Sequence, residues 1–99
     1  MNKYVVILKD KRAGTLSEAL LERHVAHLRR LSGEGRLFLC GPFREGRGAI
    51  QILLARSRAE AEGLLLQDPF VAEGYYETHE IHELVEANAA NDWLLAPTP

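Results

Sequence analysis

Residues 36–55 read RLFLCGPFREGRGAIQILLA, and this stretch decides the fold. Arg36 to Phe43 forms one strand-like run with Leu37-Phe38-Leu39-Cys40 as its apolar centre, and Ala49 to Ala55 forms a second. Between them Glu45-Gly46 and Gly48 supply turn residues. Two apolar runs joined by a short glycine-bearing turn predict a β-hairpin. In the second run Ile50, Ile52 and Leu54 alternate with Ala49, Gln51, Leu53 and Ala55. A strand apolar on both sides fits burial on both faces.

A helix is expected on either side of this hairpin. Upstream, Thr15 and Glu18 give the T-x-x-E pattern of a capping box. The helix runs to about Ser32, where Gly33 and Gly35 end it. Before it lie a polar loop, Lys9 to Gly14, and the strand-forming run Tyr4-Val5-Val6-Ile7-Leu8. Downstream, Ser57 and Glu60 repeat the capping pattern, and the helix carrying Ala61, Leu64 and Leu65 stops near Asp68-Pro69, since proline disfavours helix at the preceding residue. Phe70 to Gly74 adds one turn, and Tyr75 to Val85 reads as a fourth strand.

The order is β-α-β-β-α-β, the ferredoxin-like α+β pattern. It predicts a four-stranded antiparallel sheet with two helices on one face. The bare face calls for a cover, and a second copy of the same sheet supplies one. The expectation is therefore a homodimer with sheets packed face to face. Residues 1–86 form the domain and 87–99 a C-terminal tail with the only tryptophan, Trp93. The tail around Trp93-Leu94-Leu95 is expected to cover part of that dimer.

Composition narrows the function. The 99 residues suggest one domain, and 46% hydrophobic with 26% charged residues is ordinary globular usage. A net charge of -2 offers no basic footprint for nucleic acid. No run approaches the roughly 18 apolar residues of a membrane helix. The chain enters a strand directly rather than through a signal peptide. The lone cysteine, Cys40, cannot form an internal disulfide. These features fit a soluble, reducing, cytoplasmic setting. No glycine-rich phosphate loop or dinucleotide fingerprint is present, so no organic cofactor is indicated.

One residue breaks the pattern of the first helix. Leu16, Leu20, Leu28 and Leu31 recur at helical spacing, and His24 falls between them, on the row Leu20–His24–Leu28. An imidazole on the buried stripe needs a partner or a cavity, because an unsatisfied buried polar group costs about 1–3 kcal/mol. Asp68, held before a proline at the end of the second helix, can aim a carboxylate at the first helix. It can equally cap the turn begun by Pro69. Histidine moves protons near neutral pH, and a carboxylate on one ring nitrogen fixes its tautomer.

Other residues fit ordinary roles as well as functional ones. His24 and His27, spaced i, i+3, could share a metal, but no third ligand is evident. His79 and His82 point to opposite faces of a strand. Cys40 reads as a buried structural thiol, and Arg44 and Arg47 as solvated turn charges. Tyr4, Phe38, Phe43, Phe70, Tyr75 and Tyr76 could line a pocket beside His24 or belong to the core.

Arg23-His24-x-x-x-Leu28, Glu34-Gly35-Arg36-Leu37, Gly41-Pro42, Asp68-Pro69-Phe70-Val71-Ala72-x-Gly74 and Tyr76-Glu77 occur in an order that resembles the YciI-like family of small α+β proteins. The resemblance covers Tyr4 to about Leu84. It implies a dimeric ferredoxin-like α+β barrel, similar to the muconolactone isomerase group. It also implies a site built on a His and an Asp, here His24 and Asp68, with Gly41, Pro42 and Phe70 binding a small-molecule ligand. Chemistry known in the wider family includes dehydrochlorination of a chlorinated hydroxyquinol. Two functional readings follow: a small enzyme performing proton transfer or elimination on an aromatic or lactone-like molecule, and a non-catalytic small-molecule-binding or regulatory module. A third, structural reading has the sheet face serving assembly alone.

Overall fold

In the computed structural model, which describes residues 1–95, β1 (Asn2–Lys11) lies inside the sheet. It pairs antiparallel with β3 (Ala49–Ala55) on one side and β4 (Tyr76–Leu84) on the other. β2 (Leu37–Pro42) adds outside β3, giving the order β2-β3-β1-β4. Non-adjacent β1 and β3 are neighbours because the helices α1 (Glu18–Gly33) and α2 (Arg58–Leu66) each carry the chain across the sheet. This is the ferredoxin-like α+β architecture that the hairpin and its flanking helices predict. A four-residue helix α3 (Pro69–Ala72) follows α2, and a 3-10 segment spans Ala89–Leu94. The tail beyond 95 lies outside the described residues.

Period-two alternation sorts the sheet residues between its faces. Tyr4, Val6 and Leu8 of β1 are buried, as are Ala49, Gln51, Leu53 and Ala55 of β3. Leu20 and Leu31 of α1 and Ala61 and Leu65 of α2 join the same core. The alternate residues Val5, Ile7, Ile50, Ile52 and Leu54 are only half-buried in the single chain. Phe38 and Leu39 are exposed.

Local signals mark the element ends with two corrections. Ser17, not Thr15, caps α1: its hydroxyl accepts from the Leu20 amide at 3.1 Å. Thr15 instead donates to the Arg12 carbonyl, so Leu16 lies before the helix and is exposed. Ser57 caps α2 through the Glu60 amide, but the Glu60 carboxylate reaches the Arg56 amide rather than closing a box on Ser57. α1 ends in a Schellman arrangement: Arg36 N–H bonds Leu31 C=O at 2.8 Å and Gly35 N–H bonds Ser32 C=O at 3.1 Å. Gly35 adopts φ +71°, the left-handed conformation that favours glycine at this position. In the hairpin, a Cβ on Gly48 would sit 2.6 Å from the Leu8 carbonyl oxygen, so only glycine lets the turn lie against β1.

Candidate active site

Asp68 stands where α2 has ended and α3 begins. Its backbone is extended and Pro69 occupies the first turn of α3, a position suited to proline's fixed φ and missing donor. The carboxylate is fully buried. Oδ1 accepts from the Phe70 amide at 2.9 Å and bonds His24 Nδ1 at 2.8 Å. Oδ2 accepts from Gln51 Nε2 at 2.8 Å. Asp68 is thus both the cap of a turn and the partner of the imidazole. Burial pushes its pKa up, but the hydrogen bonds from His24 and Gln51, the His24 charge and the Phe70 amide prevail. The carboxyl is held below its ordinary range.

An ionised carboxylate only accepts, so the proton between the two residues belongs to His24 Nδ1, and in the neutral imidazole Nε2 then carries the lone pair. The ring lies flat on Phe70, with centroids 3.7 Å apart and planes within 5°. Tyr75 packs against Phe70 in turn, at 4.6 Å between centroids. The His24 side chain keeps 13% of its surface exposed. Both its degrees of freedom are spent: Asp68 sets the tautomer and Phe70 the plane.

His24 forms part of the wall of a cavity of about 480 Å³ between α1 and the sheet. Gly41, Pro42 and Phe70 line the same cavity, so β2, α1 and the α2–α3 junction bring all five expected site residues together. Tyr75 and Tyr76 also line it, whereas Tyr4, Phe38 and Phe43 do not. Tyr4 donates its hydroxyl to Glu83, and Phe38 lies beneath the Lys3 ammonium. The walls are largely apolar, with Lys11, His24, Cys40, Gln51 and the hydroxyl-bearing Tyr75 and Tyr76 as polar exceptions.

Cys40 corrects an expectation. It is exposed, not buried, and faces the cavity. Partial burial and the Asp68 charge push its thiol pKa up, so it does not present a ready thiolate. His27 is buried, its Nδ1 lies 3.3 Å from Arg30 Nη2, and its Nε2 has no hydrogen-bond partner among the described residues. No group of three or more metal-ligating side chains occurs among the described residues. His79 and His82 are exposed on β4.

Gln51 is the site residue that sequence reading missed. It sits on the row Ala49, Gln51, Leu53, Ala55, all buried. A polar residue on an apolar row is the same signal that singled out His24 on α1.

Residues 2–85 match the family model of the YCII-related domain. No curated protein matches the chain in sequence. Among solved structures, the chain is similar to the 5-chloro-2-hydroxyhydroquinone dehydrochlorinase of Burkholderia phenoliruptrix AC1100 in complex with 2,5-dihydroxybenzoquinone. The TM-score is 0.62 at 21% identity, over 90% of this chain and 99% of that one. At that identity the likeness speaks for the fold. No helix among the described residues is long and apolar enough to cross a membrane.

Proposed function

This chain belongs to the YCII-related domain family, and from that membership and the cavity's geometry we propose a small enzyme that moves a proton on a small organic ring. The ligand is aromatic or lactone-like, and the step is proton transfer or elimination. One observation carries the reading: His24 bonds the fully buried Asp68 at 2.8 Å on the wall of an apolar cavity.

His24 Nε2 acts as general base, taking a proton from the ligand. Asp68 accepts the Nδ1 hydrogen throughout and stabilises the imidazolium that results. In an elimination the electron pair of the broken bond to hydrogen forms the new double bond as an anion departs, and the proton taken by His24 then passes to solvent, so that the ligand loses one equivalent of HX and the base is regenerated. Phe70 supports the base from behind, while Gly41 and Pro42 bring backbone close to the ligand's edge. The similarity in fold to a dehydrochlorinase of 5-chloro-2-hydroxyhydroquinone makes a chlorinated hydroxyhydroquinone the first compound to try.

The test is chloride release from 5-chloro-2-hydroxyhydroquinone and a panel of halogenated dihydroxybenzenes. Turnover by the wild type and its loss in His24→Ala supports the reading. Ligand binding without turnover of any panel member returns the non-catalytic binding module instead.

We further propose a cytoplasmic homodimer. The apolar row Val5, Ile7, Ile50, Ile52 and Leu54, with exposed Phe38 and Leu39 beside it, supports sheets packed face to face. Such an interface buries on the order of 1,200 Å² or more. A monomer by light scattering at micromolar concentration overturns it. Trp93, Leu94 and Leu95 are exposed in the single chain. Deleting residues 87–99 is expected to raise the dimer dissociation constant.

A further inference from the structure

Gln51 holds the Asp68 carboxylate, but that uses only half of its amide. Asp68 is ionised and accepts only, so Nε2 must be the end that faces Oδ2. The other end, Oε1, is then an acceptor. Gln51 is 98% buried, its residue exposure being 2%, and Oε1 has no hydrogen-bond partner among the described residues. Even Cys40, its cross-strand partner in the register, makes no bond to it. A buried acceptor left unpaired is unfavourable, and native structures carry few of them without a reason. Gln51 lines the same cavity as His24.

We propose that Gln51 Oε1 is a specificity determinant that accepts a hydrogen bond from a hydroxyl on the ligand's ring. The inference rests on the proton-transfer reading of the same cavity and names its substrate class: phenols, enols and other unsaturated rings bearing O–H. The two oxygens of one carboxylate hold the two groups, His24 on Oδ1 and Gln51 on Oδ2. The base and the acceptor are therefore spaced by a single rigid unit. A ring that gives its hydroxyl to Gln51 presents a neighbouring atom to His24. An ether or halogen at that position has no hydrogen to give and leaves Oε1 unpaired, and sites built around a buried acceptor reject such analogues strongly.

The test compares phenol with fluorobenzene, similar in shape but without the donor, by NMR titration. Wild type is expected to prefer phenol by about tenfold, the scale of one buried hydrogen bond. Gln51→Met removes both ends of the amide and is expected to bring the preference below about twofold. Gln51→Glu, protonated beside Asp68, keeps a donor toward Oδ2 and a carbonyl oxygen toward the ligand, and is expected to restore it at pH 5. A merely structural role for Gln51 would lower affinity for both compounds alike and leave the preference intact, which overturns the proposal. Should Gln51→Met fail to fold, the wild-type Gln51 side-chain carbonyl ¹³C resonance decides: it shifts with phenol and not with fluorobenzene, or the proposal fails. Equal binding of both compounds against His24 overturns the hydroxyl preference alone. Binding of neither overturns the proton-transfer reading as well.

Discussion

His24 and His27 stand one turn apart on α1, and their surroundings make them different chemical objects. His24 has a buried carboxylate on one nitrogen, an aromatic ring on its face and a cavity beyond. His27 has burial without a counter-charge in contact: Arg30 approaches Nδ1, and Nε2 has no partner among the described residues. Burial pushes the His27 pKa down, against a weaker upward pull from Asp68. Helical spacing alone does not separate the two. What separates them is what the ring nitrogen meets, the buried Asp68 carboxylate in one case and the Arg30 guanidinium in the other.

Activity should separate the two histidines most widely. His24→Ala is expected to lower chloride release, or any proton-transfer rate found on the panel, by about 10²–10⁴-fold. His27→Phe is expected to leave that rate within about twofold. Similar losses in both variants would mean the two histidines share one role.

Stability comes next. Asp68→Ala removes the cap of α3 and leaves His24 Nδ1 and Gln51 Nε2 without their acceptor. The expected cost is about 3 kcal/mol, read from the urea midpoint. His27→Phe keeps the volume and removes the orphan N–H, so its effect at pH 8 is expected within about 1 kcal/mol of zero.

The smallest effect is the most diagnostic, because the two sites titrate in separate windows. His27 has a folded pKa below its unfolded value of about 6.5, so the unfolded chain binds the proton first. Its neutral form costs nothing above about pH 6.5, and stability falls as pH drops from there toward the folded pKa. Asp68 has a folded pKa below its unfolded value of about 3.9. Its contribution is complete above that pH and is lost as pH falls through the folded pKa. Melting temperature against pH should therefore show His27→Phe flattening the upper limb and Asp68→Asn the lower one. A variant that flattens the other's limb would overturn the assignment.

Much of this is legible in the sequence. The hairpin at 36–55 and the helix signals on each side carry the topology, because alternation and capping act within a few residues of themselves. The His24–Asp68 juxtaposition was readable in part from a polar residue on an apolar row and an aspartate held before proline. Three features escaped because they depend on what lies opposite. Thr15 matched the capping pattern, but the Arg12 carbonyl claimed its hydroxyl. Cys40 sat among apolar neighbours, yet β2 is an edge strand and leaves it facing the cavity. Gln51 carried the same signal as His24, but within a strand rich in aliphatic residues it reads as a lapse in the pattern rather than as its point.

The parallel stack of His24 on Phe70 at 3.7 Å has a consequence for observation. Protons above the face of an aromatic ring are magnetically shielded, so the His24 ring resonances lie upfield of an unstacked imidazole. His79 and His82 are exposed, and no aromatic ring stacks on His27 among the described residues. With four histidines in the chain, one is set apart by its own packing. Phe70 thus labels His24 spectroscopically, and its signal can be followed in the unmodified protein as a ligand arrives.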